Sequence, residues 1–274
     1  MSMQIKVPNA DFSGLGFPKL VKQVAGFRVP DLQALYLFEN GVNGDAVVSA
    51  VDSSGLGRHA SLVTGSVAPL KAASGVNKPT AAGSFLYTIP AFALGQAFSA
   101  VVVARCSEFA ASKYPTLWRP SPDITGGSLV NSQSGGEAIN FEMGSGTGLA
   151  QPGWYNVAGS MDATSSIVRA ALSVPGTVRT DWVAVAFSYN PATDTYSAIA
   201  GPVSFSFSRA TPSNVSKAKV GLHTFGIGKF SSISDMPGDL GLFALYSGYK
   251  TVDELQDLAS RAKARMALRG VAVF

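Results

Sequence analysis

The residues able to do chemistry are few. Two histidines, one cysteine and seventeen acids stand in 274 residues. Disulfide frameworks and Cys/His zinc sites are therefore excluded. The glutamates are Glu39, Glu108, Glu137, Glu142 and Glu254. A hydrolase of glycosidic bonds needs two carboxyl groups flanking the bond. Glu137 and Glu142 are an odd step apart, so an uninterrupted strand points them to opposite faces. His59 follows Asp52 and Ser53 at short spacing, but a triad is defined in space, and the histidine reads as a turn or rim residue; His223 reads as core or rim packing. Asp45 and Asp52 are oxygen ligands by type, yet hard cations want six or more oxygens. No such set is visible, and both read as turn-stabilising aspartates. Ser145-Gly146-Thr147-Gly148 lacks the Lys-Ser/Thr of a phosphate loop. No catalytic residue, cofactor or metal is expected.

Binding chemistry has better candidates. Trp118, Trp154 and Tyr155 fall in segments that read as loops, and exposed aromatic faces stack on sugars. In the first thirty residues Ile5, Val7, Phe12, Leu15 and Phe17 are large apolar groups without a sustained period. Pro8 biases Val7 toward extended geometry. Such a segment must pack elsewhere, either as an edge strand on its own domain or as an arm on another subunit.

The elements that must position these groups are strands. Apolar residues make up 46% and charged residues 14%, which argues against disorder. With 29 Gly and 15 Pro, a helical bundle is excluded. Strands are predicted at 34–39, 84–89, 97–105, 138–142, 166–173, 182–189, 195–200, 203–208, 218–222 and 240–246. Turn chemistry separates them at Asn40-Gly41, Asn43-Gly44, Ser54-Gly55 and Asn190-Pro191. The runs 100–104 and 183–187 are apolar on both faces, as interior strands of a stack are; 203–208 alternates, so one face is solvated.

One helix is predicted, over 251–269. Thr251 and Glu254 form a capping box, and Leu255, Leu258, Ala259, Ala262 and Met266 make one stripe. Acids precede bases along it, in accord with the helix dipole, and Gly270 ends it.

Taken in order, Leu35-Tyr36-Leu37-Phe38-Glu39, Asp52-Ser53-Ser54-Gly55 with His59, Thr180-Asp181-Trp182 leading into 183–187, Gly238 to Tyr246, and Thr251 to Glu254 resemble the concanavalin A-like, laminin-G-like jelly roll. The resemblance covers residues 32–270. It implies an all-β sandwich over 31–274 closed by the helix, preceded by an arm over 1–30. One departure is Thr195-Tyr196-Ser197-Ala198, which lacks the Asn-Gly of the family's hairpin. The family also houses glucanases, but their Glu-x-Asp-x-x-Glu strand is missing here.

Residues 5–13 resemble the opening of phage head and tail surface proteins. That resemblance implies a non-enzymatic virion protein, made in the host cytoplasm and docked through its arm to capsid or tail subunits. It also implies a homo-oligomer, with a trimer the candidate stoichiometry. The alternatives are a lectin or adhesion module for host glycans, and a polysaccharide-cleaving enzyme with an unrecognised acid pair. No membrane span is expected, nor a secretory signal. A net charge of +4 is too small and scattered to predict a specific nucleic-acid partner.

Overall fold

The computed structural model describes residue 27 and residues 31–78, 85–93, 97–106, 116–121, 138–142, 154–161, 167–173, 181–190, 192–193, 195–208, 220–228 and 238–274. Two antiparallel sheets stack. The first runs β14 (Val203–Ser208), β13 (Thr195–Ala200), β12 (Val183–Asn190), β7 (Phe98–Cys106), β16 (Gly238–Ser247), β5 (Gly75–Lys78), β4 (Leu70–Ala72), with β1 (Leu32–Tyr36) also on β16. The second runs β11 (Ile167–Ser173), β10 (Trp154–Met161), β9 (Ala138–Glu142), β8 (Thr116–Ser121), β15 (Val220–Gly228), β6 (Phe85–Ala93), β3 (Ala60–Leu62), β2 (Ser49–Ala50). A helix, α1 (Val252–Ala267), lies on the outer face of the first sheet.

The central strands are apolar throughout because both their faces are covered. In β7, Phe98, Ala100, Val102 and Ala104 point between the sheets, while Val101 and Val103 point at the helix. Val183, Val185 and Phe187 of β12 face inward, and Ala184 and Ala186 face α1. The predicted stripe of α1 is the buried one. Its capping box is complete: Glu254 N donates to the Thr251 hydroxyl and Thr251 N to the Glu254 carboxylate.

A bulge adapts β16 to both layers. Its register against β7 shifts between Leu240 and Leu242, so Leu240 and Phe243 face the second sheet while Leu242 faces the helix. An unbroken strand would put Leu240 and Leu242 on one face. The extra residue is Gly241, where a Cβ would lie 2.4 Å from Met266 Cε and 3.1 Å from Trp182 Cζ3. With a side chain at 241, the end of Met266 would have to shift for the helix to seat this closely.

Aromatic rings join the sheets. Phe225 of β15 stacks on Phe243 of β16 at 4.5 Å between centroids and 5° between planes, and on Tyr36 of β1 at 4.6 Å. Tyr87 of β6 stacks on Phe225 at 5.5 Å.

Several expected boundaries change. The segment predicted at 218–222 continues to Gly228, its apolar alternation masked by His223, Thr224 and Gly226. Residues 116–121, read as loop because of Pro115 and Pro120, form β8. Pro120 lies beyond the residues paired with β9, where one side of the strand needs no donor. Strands β2 to β5 were too short to register as periods.

Candidate functional site

The site is built by a split in the edge of the first sheet. β16 is longer than either neighbour on that side. Its residues 238–240 pair with β5, and its residues 243–246 pair with β1. Between these two stretches Arg269 donates to Gly241 O. The chain from 44 to 53 runs along this side of the sheet. It first pairs with β4, through Gly44 N to Lys71 O (2.9 Å), Lys71 N to Asp45 O (2.8 Å) and Val47 N to Pro69 O (2.8 Å). It then steps to the second sheet as β2, paired with β3. It returns to β1 where Ser53 N donates to Leu35 O at 2.6 Å.

The result is a cleft of about 290 Å³. Its floor is apolar, from Phe38, Val47, Ala50 and Val76, the buried Lys71 also lines it, and its rim carries Asn40, Asp45, Ser49 and Ser53. Two tight turns bring the rim into place. Gly41 and Gly44 have φ of 96° and 95°, which side-chain-bearing residues rarely adopt. Phe38 has φ of 52°, the one non-glycine among the described residues with a positive value. A bulky residue held there costs energy. It places the ring at the cleft while leaving it 6.0 Å from Tyr87 and 6.4 Å from Phe225.

The apolar edge is wet. Val42, Val48, Val51, Leu56, Val67 and Leu70 are all exposed, Val42 at 69%. Val48 and Val51 line the cleft, and the other four fall within the same stretch of chain. Beside it, Glu39 accepts from Arg265 Nε at 2.7 Å and from Arg269 at 2.9 Å. Burial pushes the Glu39 carboxyl up, but the hydrogen bonds and charges of Arg265 and Arg269 outweigh it and hold it below the usual 4.5. Arg269 also donates to Gly241 O at 3.0 Å, which fastens the end of α1 next to the β4–β5 hairpin. Lys71, 6% exposed, donates to the Ala72 carbonyl. Burial and the neighbouring Arg269 make its ammonium easier to deprotonate than a free lysine, with Glu39 opposing.

The turn that follows the cleft is organised by Asp52. One carboxylate oxygen accepts from Leu35 N (3.1 Å) and Ser54 N (2.9 Å), the other from Ser54 Oγ (2.8 Å) and Arg58 N (2.9 Å). These contacts occupy the carboxylate and make it a turn anchor, as expected from sequence. His59 Nδ1 accepts from Asp52 N at 3.1 Å. That nitrogen is thus engaged with backbone and not with a serine. Asp45 sits on the cleft rim.

Of the three candidate sugar-stacking aromatics, Trp118 has a described side chain. Trp118 is not on a loop. It lies on β8, fully buried, 5.3 Å from Phe98, so it offers no face to a sugar. The Pro-flanked segment suggested exposure, whereas the pairing of β8 between β9 and β15 turns the ring inward. Trp154 and Tyr155 also lie on a strand, β10, opposite Glu142 and Phe141 on one side and Ser173 and Leu172 on the other; their side chains lie outside what is described. Ile5, Val7, Phe12, Leu15 and Phe17 lie outside the described residues.

Sequence reasoning missed the cleft. The available signal was Ala46-Val47-Val48-Ser49-Ala50-Val51, an apolar run between the Asn43-Gly44 and Ser54-Gly55 turns to which no strand was assigned. Nothing in the sequence singles out Lys71. Among the described residues, no three His, Cys, Asp or Glu side chains cluster as a metal site.

No family model and no curated protein matches the sequence. Solved structures do. A botulinum neurotoxin type C structure superposes with a TM-score of 0.51 at 11% identity, covering 84% of this chain and 51% of its own. The receptor-binding domain of botulinum neurotoxin type G gives 0.51 at 10% identity over 85% of this chain and 52% of its own. The binding domain of paraclostridial mosquitocidal protein 1 gives 0.52 at 11% over 84% and 52%. The chain spans about half the length of these structures. At this identity the likeness shows the fold: a concanavalin A-like two-sheet sandwich with one C-terminal helix.

Proposed function

We propose that this chain is a carbohydrate-binding module acting by surface fit, without bond making, and that the split-edge cleft receives the sugar. The observation that carries the reading is the composition of the cleft: an apolar floor bounded by convergent polar groups, the ordinary make-up of a small-molecule site. The C–H face of a sugar ring suits Phe38, Val47 and Val48, while its hydroxyls suit Asn40 and Ser53. At about 290 Å³ the cleft is near the lower end of the roughly 300–1,000 Å³ of ligand pockets, which suits one terminal sugar unit.

The structural neighbours support this reading by analogy of fold, which alone does not assign function. The type C neurotoxin enters cells in dependence upon interaction with two ganglioside molecules. These neighbours are toxin binding domains, and they lend no support to the virion assignment or to docking on capsid or tail subunits.

A glycan array probed with the whole chain tests the reading. Binding is expected, weakened at least tenfold by Val48→Asp, which puts a charge on the apolar wall, and less by Asn40→Ala. Binding lost instead in Trp154→Ala and unchanged in Val48→Asp would move the site to β10. A blank array would sink the reading.

A further inference from the structure

Lys71 poses a problem that the sugar reading does not use. Its side chain is almost completely removed from water. Among the described residues its ammonium has one hydrogen bond, to the neutral Ala72 carbonyl, and no carboxylate within ion-pair distance. The charges that act on it are Arg269, which repels it, and Glu39, already engaged by Arg265 and Arg269. A buried ammonium is costly unless it is paired, because desolvation is not repaid by a carbonyl dipole alone. A bound group of opposite charge would offset that cost.

Lys71 lines the cleft and, among the described residues, is the only cation to do so. Asp45, the other charged lining residue, is exposed and does not figure among the groups acting on the Lys71 charge. One cation in an apolar pocket suits a single anionic group carried on an otherwise uncharged body. It is too little for a nucleic acid or polyphosphate, whose affinity grows with the number of phosphates neutralised.

We infer that the cleft selects acidic saccharides, with Lys71 receiving the carboxylate or sulfate of the bound sugar unit while the apolar floor takes its ring. This rests on the sugar-binding reading and adds the chemical class of the ligand. A charge-assisted hydrogen bond is about twice as strong as a neutral one, so the acidic group carries the selectivity.

The test is calorimetric titration of the full chain with three tetrasaccharides: galacturonate, a sulfated carrageenan fragment, which carries no carboxylate, and neutral cello-oligosaccharide. At least one acidic probe should bind tenfold or more tightly than the neutral one, and the two acidic probes separate carboxylate from sulfate recognition. Lys71→Met should weaken acidic binding by roughly ten- to hundredfold and raise Tm, because an uncompensated charge is removed. A fall in Tm would show that the ammonium already has its partner within the fold, and would overturn the inference. Lys263→Gln, which removes the same charge from α1, should leave binding unchanged. Should Lys71→Met fail to fold, Asp45→Asn on the exposed rim remains, and it should strengthen acidic binding by about two- to fivefold at low salt. No change or a weakening there would overturn the inference. Equal binding of neutral and acidic probes would overturn it and leave the sugar reading standing; no binding of any probe would overturn both.

Discussion

The centre of the first sheet and its split edge are made from the same kinds of residue and behave oppositely. In β7 and β12, Val101, Val103, Val183 and Val185 are fully or almost fully buried, with one face against the second sheet and the other against the helix. At the edge, Val42, Val48 and Val51 face water around a cleft. Valine alone does not say which. Cover decides: the centre has two layers over it, and the edge has a chain segment that switches sheets before it can close the gap. The first region is fully covered, and the second holds the exposed apolar groups, a left-handed phenylalanine and an ammonium that, among the described residues, has a carbonyl partner but no carboxylate.

The comparison can be broken by mutation. The largest effect is expected for Phe225→Ala, at the junction of the Tyr36, Tyr87 and Phe243 rings. Loss of a buried phenylalanine costs about 3–5 kcal/mol, read by denaturant unfolding; a cost below 1 kcal/mol would mean that the sheets are not held together there. Next is Gly241→Ala, which drives a methyl into Met266. Overpacking costs about 1–3 kcal/mol, with the flexible methionine end favouring the lower figure, and Met266→Ala in the same chain should recover part of it.

A smaller effect concerns the charges beside the cleft. Because the folded Glu39 carboxyl is held below 4.5, its contribution is present above that pH and is lost as pH falls through the depressed value. Glu39→Gln should therefore lower Tm at pH 7 and flatten the acid limb of the Tm-against-pH curve; parallel curves for mutant and wild type would exclude this linkage. The smallest effect is Val42→Ser, at a residue 69% exposed. Stability should change by less than about 0.5 kcal/mol, and a larger loss would show that the edge is packed against something in solution.

Much of the sandwich was legible because burial imposes period. The apolar runs at 100–104 and 183–187 announced interior strands, and the strands at 138–142, 195–200 and 203–208 stand where alternation and turn residues put them. The helix was legible from its own first turn, since Thr251 and Glu254 bond to each other whatever surrounds them. Asp52 was also readable as a turn anchor, since its partners Ser54 and Arg58 are its near neighbours in sequence.

The amino-acid order by itself thus determined the class of fold, the closing helix and the turns, because each rests on interactions between residues close in the chain or on a repeated hydrophobic pattern. Only the tertiary structure decided where the site lies. Trp118 is turned inward by the strands on either side of it. Phe38, Val48 and Lys71 meet because the chain from 44 to 53 pairs first with β4, then with β3 and then with β1. The meeting of segments from different strands is a property of how strands are arranged in space, and no local pattern records it.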